Sequence, residues 1–295
     1  MNIKSLKLLP SILVLAVSAP VAVLLRCTHY FGLLEAHTGF FAETGFKVIL
    51  FYAVLLAAVL FFYISVFVNR KIYSFDSAVA KRPVSAIASI ICGIGCFISV
   101  YGEYTAKDVD SSAYTVSSAL TSSSVGPVLT YVICVLGLIS AVWFLVLGIT
   151  LLTGRSNGSA YRLLALAPVL WCIVRLVLRF TRTVSYLKVS DLFLEMMALA
   201  AYCIFFMAYA RCSSGINAET SPKQIVSFGF IGALLGFVCF IPRAVAALSG
   251  RADFIFILSR ADLSDFTIAL FMLASIFTRI VRYGTVIAQD GTPAK

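Results

Sequence analysis

The chain has 295 residues, of which 61% are hydrophobic and only 12% are charged, whereas a soluble globular domain usually carries about 25% charged residues. With a mean hydropathy of +1.01, this composition excludes an ordinary water-soluble domain. The formal net charge of +10 is not collected in one basic helix or tail, so we expect no nucleic acid partner. In a membrane protein, such an excess instead reflects topology and contact with anionic lipid.

The apolar residues form separated runs close to the roughly 20 residues that cross a hydrocarbon core as an α-helix. Lipid offers the backbone no hydrogen-bond partners, and the runs lack the alternation of barrel strands, so helices are predicted. We predict an all-α, polytopic integral membrane helical bundle, one domain over 1–295, with about eight transmembrane helices. The candidate spans are residues 8–25, 48–68, 84–101, 126–152, 163–180, 191–210, 224–249 and 263–283.

The first span begins like a secretory signal peptide, because Lys4 and Lys7 precede an apolar run that ends in small residues. Pro20 follows the candidate cleavage site, and the run continues to Leu25. That length is sufficient to cross a membrane. We therefore expect the segment to be retained as a helix.

Lysine and arginine in the short loops predict the orientation, since these residues are retained on the cytoplasmic side. Basic residues before the first span and in the second loop place the N-terminus in the cytoplasm, and eight spans place the C-terminus there as well. We predict a multi-pass protein of the cell membrane, of the bacterial inner-membrane type. The residues that carry this prediction are Lys4, Lys7, Arg70, Lys71, Lys81 and Arg82.

A short pattern recurs about half a chain length apart. Ala19-Pro20-Val21 and Ala167-Pro168-Val169 are each followed by an arginine. Internal repeats are common in membrane transport folds. This match favours two four-helix halves, residues 1–157 and 158–295.

Two spans carry a face of small side chains at helical spacing. Because lipid tails are as apolar as leucine, membrane helices associate through close backbone approach, which small faces permit. We therefore expect these two helices to be central in the bundle. The small residues are Ser85, Ser89, Gly93 and Cys96 in the third span, and Gly229, Gly232 and Gly236 in the seventh.

The fifth and sixth spans contain charged residues that lipid does not tolerate. Arg175 and Arg179 are four residues apart, as are Asp191 and Glu195, so each pair lies on one helix face. Residues at equal distance from the turn of a hairpin lie at equal depth. The register therefore predicts the ion pairs Arg175 with Glu195 and Arg179 with Asp191.

Similar pairs are predicted elsewhere in the outer half of the bundle. Arg243 in the seventh span lies opposite Asp265 in the eighth, and Arg26 lies near Glu43 around the first two spans. Each such group costs about 2.5–3.5 kcal/mol at a helix centre, so it is expected to be paired, hydrated or turned inward.

Two interpretations of these charges remain open. In the first, each hairpin is clamped by its own ion pair near the lipid headgroups. In the second, the arginines converge on a polar site that binds an anion, because guanidinium suits carboxylate or phosphate bidentately. The second interpretation assigns ligand binding to Arg175, Arg179, Asp191, Glu195, Arg243 and Asp265.

The second interpretation makes the chain a small transporter or binding protein for an anionic or zwitterionic solute, with the arginines as anion contacts. The alternative is a non-transporting assembly factor or sensor subunit whose small-residue faces dock a membrane protein partner. Under both hypotheses the protein also contacts the lipid bilayer.

Motifs of catalysis and metal binding are absent from the chain. There is no H-E-x-x-H, G-x-S-x-G or Walker loop, so we expect no enzyme, no catalytic residue and no cofactor. His29 and His37 have no zinc-ligand spacing, and the eight cysteines form no C-x-x-C pair. We expect neither a metal site nor a disulfide.

Overall fold

A computed structural model describes residues 9–33, 45–68, 81–113, 125–154, 163–181, 189–214, 220–249 and 262–290. All regular structure in these ranges is helical. The helices are α1 (Leu9–Thr28, followed by a π-helical turn at His29–Leu33), α2 (Phe46–Val68), α3 (Pro83–Ala113), α4 (Val125–Thr153), α5 (Ala167–Thr181), α6 (Val189–Ser213), α7 (Ser221–Leu248) and α8 (Leu263–Asp290).

Each predicted span coincides with one of these helices, so the prediction of an all-α membrane bundle is confirmed. Six helices are long and apolar enough to cross a membrane, and α8 contributes a shorter apolar stretch, Leu263–Thr278. Helix α5 is the exception, because its 15 residues reach only about 22 Å at 1.5 Å per residue. It begins at Ala167 with Pro168 in its first turn, where the missing backbone N–H costs nothing.

Six of the helices form a closed ring. Each of α3 to α8 contacts the next helix along the chain, and α8 returns to contact α3. Helices α1 and α2 contact each other and pack on the outside of α7. The ring brings the ends of α3, α5, α6, α7 and α8 together at one end of the bundle.

Helix α7 is central, as its glycines predict. In α7, 78% of the apolar membrane-spanning stretch is buried inside the bundle, against 44% in α3. The prediction that both helices are central is therefore better supported for α7. A Cβ at Gly236 would lie 2.9 Å from the carbonyl oxygen of Asp265 on α8, and one at Gly232 would lie 3.2 Å from the ring of Tyr202 on α6. On α3, Ser89 donates a hydrogen bond to the carbonyl oxygen of Phe144, at 2.7 Å, so the small face of α3 packs against α4.

Aromatic side chains fill the interior of the ring between α4, α6 and α8. Phe144 lies edge-on to Phe206 and Phe271, with ring centroids 5.6 and 5.2 Å apart. Trp143 contacts Tyr209 in the same way at 5.9 Å. These contacts form a dense apolar core, and the large apolar side chains on the opposite helix faces, such as Leu24, Leu56 and Val135, are exposed at the periphery where lipid lies.

All eight cysteines are free thiols, most of them buried in helix contacts. If all eight described helices cross the membrane, the first residue of α1 and the last residue of α8 lie on the same side of it. The assignment of that side to the cytoplasm and the division into halves 1–157 and 158–295 stay predictions.

Candidate functional site

In the described part of the chain, eight charged side chains lie near one end of the bundle and are shielded from solvent, and we call them the charged layer. They converge because odd-numbered helices end at this level and even-numbered helices begin there. Four are arginines and four are carboxylates, so their formal charges balance. The members of the charged layer are Arg26, Arg175, Arg179, Asp191, Glu195, Arg243, Asp262 and Asp265.

The first cluster in this layer joins α1 to α6. Arg26, in the last turn of α1, donates a hydrogen bond to Asp191 at the start of α6. The Tyr30 hydroxyl donates a second one to the same carboxylate oxygen at 2.9 Å. The guanidinium also lies over the rings of Tyr30 and Phe51, at 5.1 and 5.6 Å from their centroids. An ion pair and two aromatic faces thus hold this arginine in place.

The second cluster joins α5 to the start of α8. Arg175 donates hydrogen bonds to Asp262 and, at 3.2 Å, to Ser264. It also lies 3.6 Å from Asp265 Oδ1, and its guanidinium carbon is 5.0 Å from the centroid of Trp171. Arg175 is therefore ion-paired with both Asp262 and Asp265.

Asp262 also caps helix α8. It accepts hydrogen bonds from the backbone N–H of Ser264 at 3.1 Å and from the Ser264 hydroxyl at 2.8 Å, which is the N-cap arrangement. Ser99 on α3 donates a further hydrogen bond to it. Burial opposes ionisation of Asp262, but Arg175 and these three hydrogen bonds favour the charged carboxylate.

The third cluster contains one carboxylate shared by two arginines. Arg179 donates a hydrogen bond of 2.7 Å to Glu195 Oε1. Arg243 on α7 reaches the other carboxylate oxygen, but only at 3.8 Å, which is too long for a hydrogen bond. Glu195 is therefore bonded to α5 and only loosely paired with α7.

Two charged side chains in the described part of the layer form no hydrogen bond, whereas Arg26, whose Nη1 also lacks a partner, is bonded to Asp191 through Nη2. Among the described residues, Nε and Nη1 of Arg243 have no hydrogen-bond partner, although the side chain is only 3% exposed. Oδ1 of Asp265 is likewise without one, and its side chain is also 3% exposed. Buried polar groups are nearly always hydrogen-bonded, so one unsatisfied cation and one unsatisfied anion near the same depth require an explanation.

All six residues to which the sequence assigns ligand binding lie in the charged layer, and their ligand binding stays a prediction, but the predicted ion pairs of the hairpin are wrong. Asp191 binds Arg26 rather than Arg179, and Arg175 binds across the ring to α8 rather than to Glu195. Equal depth in a hairpin does not determine which way each side chain points around its helix axis, and Arg175 points towards α8.

The other two predicted pairs have different outcomes. Arg243 is paired with Glu195, and the ion pair of Asp265 is with Arg175, so the pair of Arg243 with Asp265 is not formed. Glu43, the predicted partner of Arg26, lies outside the described residues. The hairpin-clamp interpretation holds only for the bond of Arg179 to Glu195 between α5 and α6. The other contacts tie together helices that are distant along the chain.

The sequence interpretation missed Asp262, Ser99 and Tyr30. Asp262 lies three residues before Asp265, the spacing of a helix N-cap and its third residue, and this signal was available. Tyr30 lies in the π-helical turn that follows α1 and is buried against Arg26. Nothing in the sequence singles out Ser99.

His29 does not form part of a metal site among the residues described. Its Nε2 lies 3.3 Å from the carbonyl oxygen of Lys47, and its ring packs edge-on against Phe51 at 5.3 Å. No group of three or more potential metal ligands occurs in the described part of the chain. His37 lies outside it.

Comparisons with protein-family models, with curated proteins and with solved structures find no match to this chain. Composition and helix lengths together make it a multi-pass helical membrane protein whose outer faces contact lipid. The function therefore has to be inferred from the charged layer.

Proposed function

We propose that this chain is a small transporter or binding protein for an anionic or zwitterionic solute that occupies the charged layer. Arg243 is the main anion contact in this proposal. Arg175 and Arg179 line the same level, and Asp191, Glu195 and Asp265 are their partners or carry protons.

The observation that supports this proposal is the environment of Arg243. A charge buried at membrane depth is costly unless hydrogen bonds compensate it. Arg243 is enclosed by the bundle, yet two of its nitrogens have no hydrogen-bond partner among the described residues. A solute carboxylate or phosphate would supply the missing acceptors, since guanidinium binds such groups bidentately.

The neighbours of Arg243 are consistent with this role. Glu195 is already hydrogen-bonded to Arg179 at 2.7 Å, so it does not compete strongly for Arg243. Pro242 directly precedes Arg243 within α7, and a proline inside a helix removes a backbone hydrogen bond and introduces a kink. The proline therefore weakens the backbone hydrogen bonding of α7 directly before the proposed anion contact.

The experiment is a ligand screen on the purified full-length protein. We expect small carboxylates, phosphate or amino acids to raise the melting temperature of the wild type in detergent. Arg243→Gln should abolish that increase, because it removes the cation that binds the anion. Uptake of the stabilising solute into proteoliposomes would then separate a transporter from a binding protein.

The matched control is Arg211→Gln. Arg211 lies in the last turn of α6, at the opposite end of that helix from the charged layer, and its Nη2 contacts the sulfur of Met207 at 3.7 Å. The control should keep the wild-type response to solutes. The proposal fails if no anion or zwitterion stabilises the wild type, or if Arg243→Gln responds as the wild type does.

The alternative, a non-transporting assembly factor or sensor subunit, stays a prediction from the sequence, and no particular contact favours it. Copurification of a membrane protein partner without crosslinking would support it. We also propose that the chain is not an enzyme and that it resides in the cell membrane, as in a bacterial inner membrane. Fractionation of the native host tests the location.

A further inference from the structure

We propose that the solute is a zwitterion, with its carboxylate or other oxyanion on Arg243 and its ammonium group on Asp265. This inference rests on the proposed function and narrows it to one class of solute. It follows from two unsatisfied groups of opposite charge that the same helix contact holds near each other.

The contact of α7 with α8 places the two groups. A Cβ at Gly236 would lie 2.9 Å from the carbonyl oxygen of Asp265, so these backbones touch at that level. Arg243 lies two helical turns after Gly236, on the same face of α7. Helical side chains lean towards the N-terminus of their helix, so the guanidinium of Arg243 extends back towards the level of Asp265.

The remaining groups near this contact are already bonded. Asp262, not Asp265, accepts the short hydrogen bond of Arg175, and Asp265 Oδ1 lies 3.6 Å from Arg175 Nη1. Glu195 is hydrogen-bonded to Arg179. Arg243 and Asp265 are therefore the two charged side chains in the described part of the layer that form no hydrogen bond, whereas Arg26, whose Nη1 also lacks a partner, is bonded to Asp191.

Charge balance also favours a zwitterion over a simple anion. The described residues of the charged layer are four arginines and four carboxylates. An added anion would leave a net negative charge in a medium of low dielectric constant, where uncompensated charge is expensive. A zwitterion adds one charge of each sign and leaves the balance unchanged.

The test compares solutes that differ only in the ammonium group. Glycine, β-alanine, γ-aminobutyrate and δ-aminovalerate form one series with increasing separation of the two charges. Acetate, propionate, butyrate and valerate are the parent carboxylates. Binding of each compound to the wild-type protein in lipid nanodiscs is measured by titration calorimetry.

We expect at least one amino acid of this series to bind at least about tenfold more tightly than its parent carboxylate. A hydrogen bond to a charged group accounts for that ratio. If the parent carboxylates bind as tightly as the amino acids, the zwitterion inference is overturned and the proposed function stands. If neither series nor phosphate binds, the proposed function fails and the inference fails with it.

A substitution of Asp265 tests whether its carboxylate binds the ammonium group of the solute. Asp265→Asn keeps the shape of the side chain, and Arg175 keeps Asp262 as its partner. We expect it to reduce amino acid affinity about tenfold and to leave the affinity for the parent carboxylate unreduced. Arg211→Gln, which also replaces a charged group by an amide and lies at the end of α6 away from the charged layer, is the control and should match the wild type. Equal loss for both series would overturn the role of Asp265.

Discussion

Arg26 and Arg243 occupy the same layer and are almost equally buried, with 1% and 3% of their side chains exposed, but their surroundings differ. Arg26 donates a hydrogen bond to Asp191 and lies over two aromatic rings. Arg243 lies 3.8 Å from a carboxylate that already bonds another arginine. Arginine is thus hydrogen-bonded in the contact of α1 with α6 and only loosely paired in the contact of α7 with α6.

This difference separates two roles for buried charge. A buried arginine with a bonded carboxylate ties helices together, and removing one partner leaves the other uncompensated. A buried arginine that forms no hydrogen bond contributes little to stability, because nothing offsets the cost of removing its charge from water. We therefore expect Arg26 to be structural and Arg243 to be functional.

The largest effect is expected from Arg26→Gln. It leaves the Asp191 carboxylate buried without its cation, which costs about 3–5 kcal/mol. The melting temperature of the purified protein should fall by about 10 °C. Differential scanning fluorimetry in detergent measures the change.

The double variant Arg26→Gln with Asp191→Asn tests the cause of that loss. It removes both charges, so it should be more stable than Arg26→Gln alone. Additive losses from the two substitutions would show that the ion pair does not link α1 to α6 energetically.

A smaller effect is expected from Glu195→Gln. The carboxylate bonds Arg179 at 2.7 Å and pairs loosely with Arg243, and an amide keeps an acceptor but loses the charge. We expect the free energy of unfolding to fall by about 2 kcal/mol, which is less than for Arg26→Gln and more than for Arg243→Gln. A loss as large as that of Arg26→Gln would mean that Arg243 depends on Glu195 as Arg26 does on Asp191.

The smallest effect on stability is expected from Arg243→Gln without ligand. Glu195 keeps Arg179, so no carboxylate is left without a cation, and the melting temperature should change by less than about 3 °C in either direction. The same variant should lose the response to solutes. A large destabilisation would show that Arg243 is a structural residue, as Arg26 is expected to be.

Much of the charged layer was predictable from the sequence. A single charged residue in an apolar run is conspicuous, and counting from the turns assigns its depth, so Arg175, Arg179, Asp191, Glu195, Arg243 and Asp265 were identified. Their pairing was not predictable in this way. Arg175 turns towards α8 and Arg26 reaches α6, because rotation about each helix axis depends on the whole set of neighbours.

The sequence by itself determined that the chain crosses a membrane as helices, since lipid leaves the backbone no other means of satisfying its hydrogen bonds. It also determined that charges gather at one end of the bundle. Only the tertiary structure decided which charges meet, because helix contacts such as that of Gly236 with Asp265 set rotation and distance together. The same contacts left Arg243 with unused donors, and hydropathy carries no information about them.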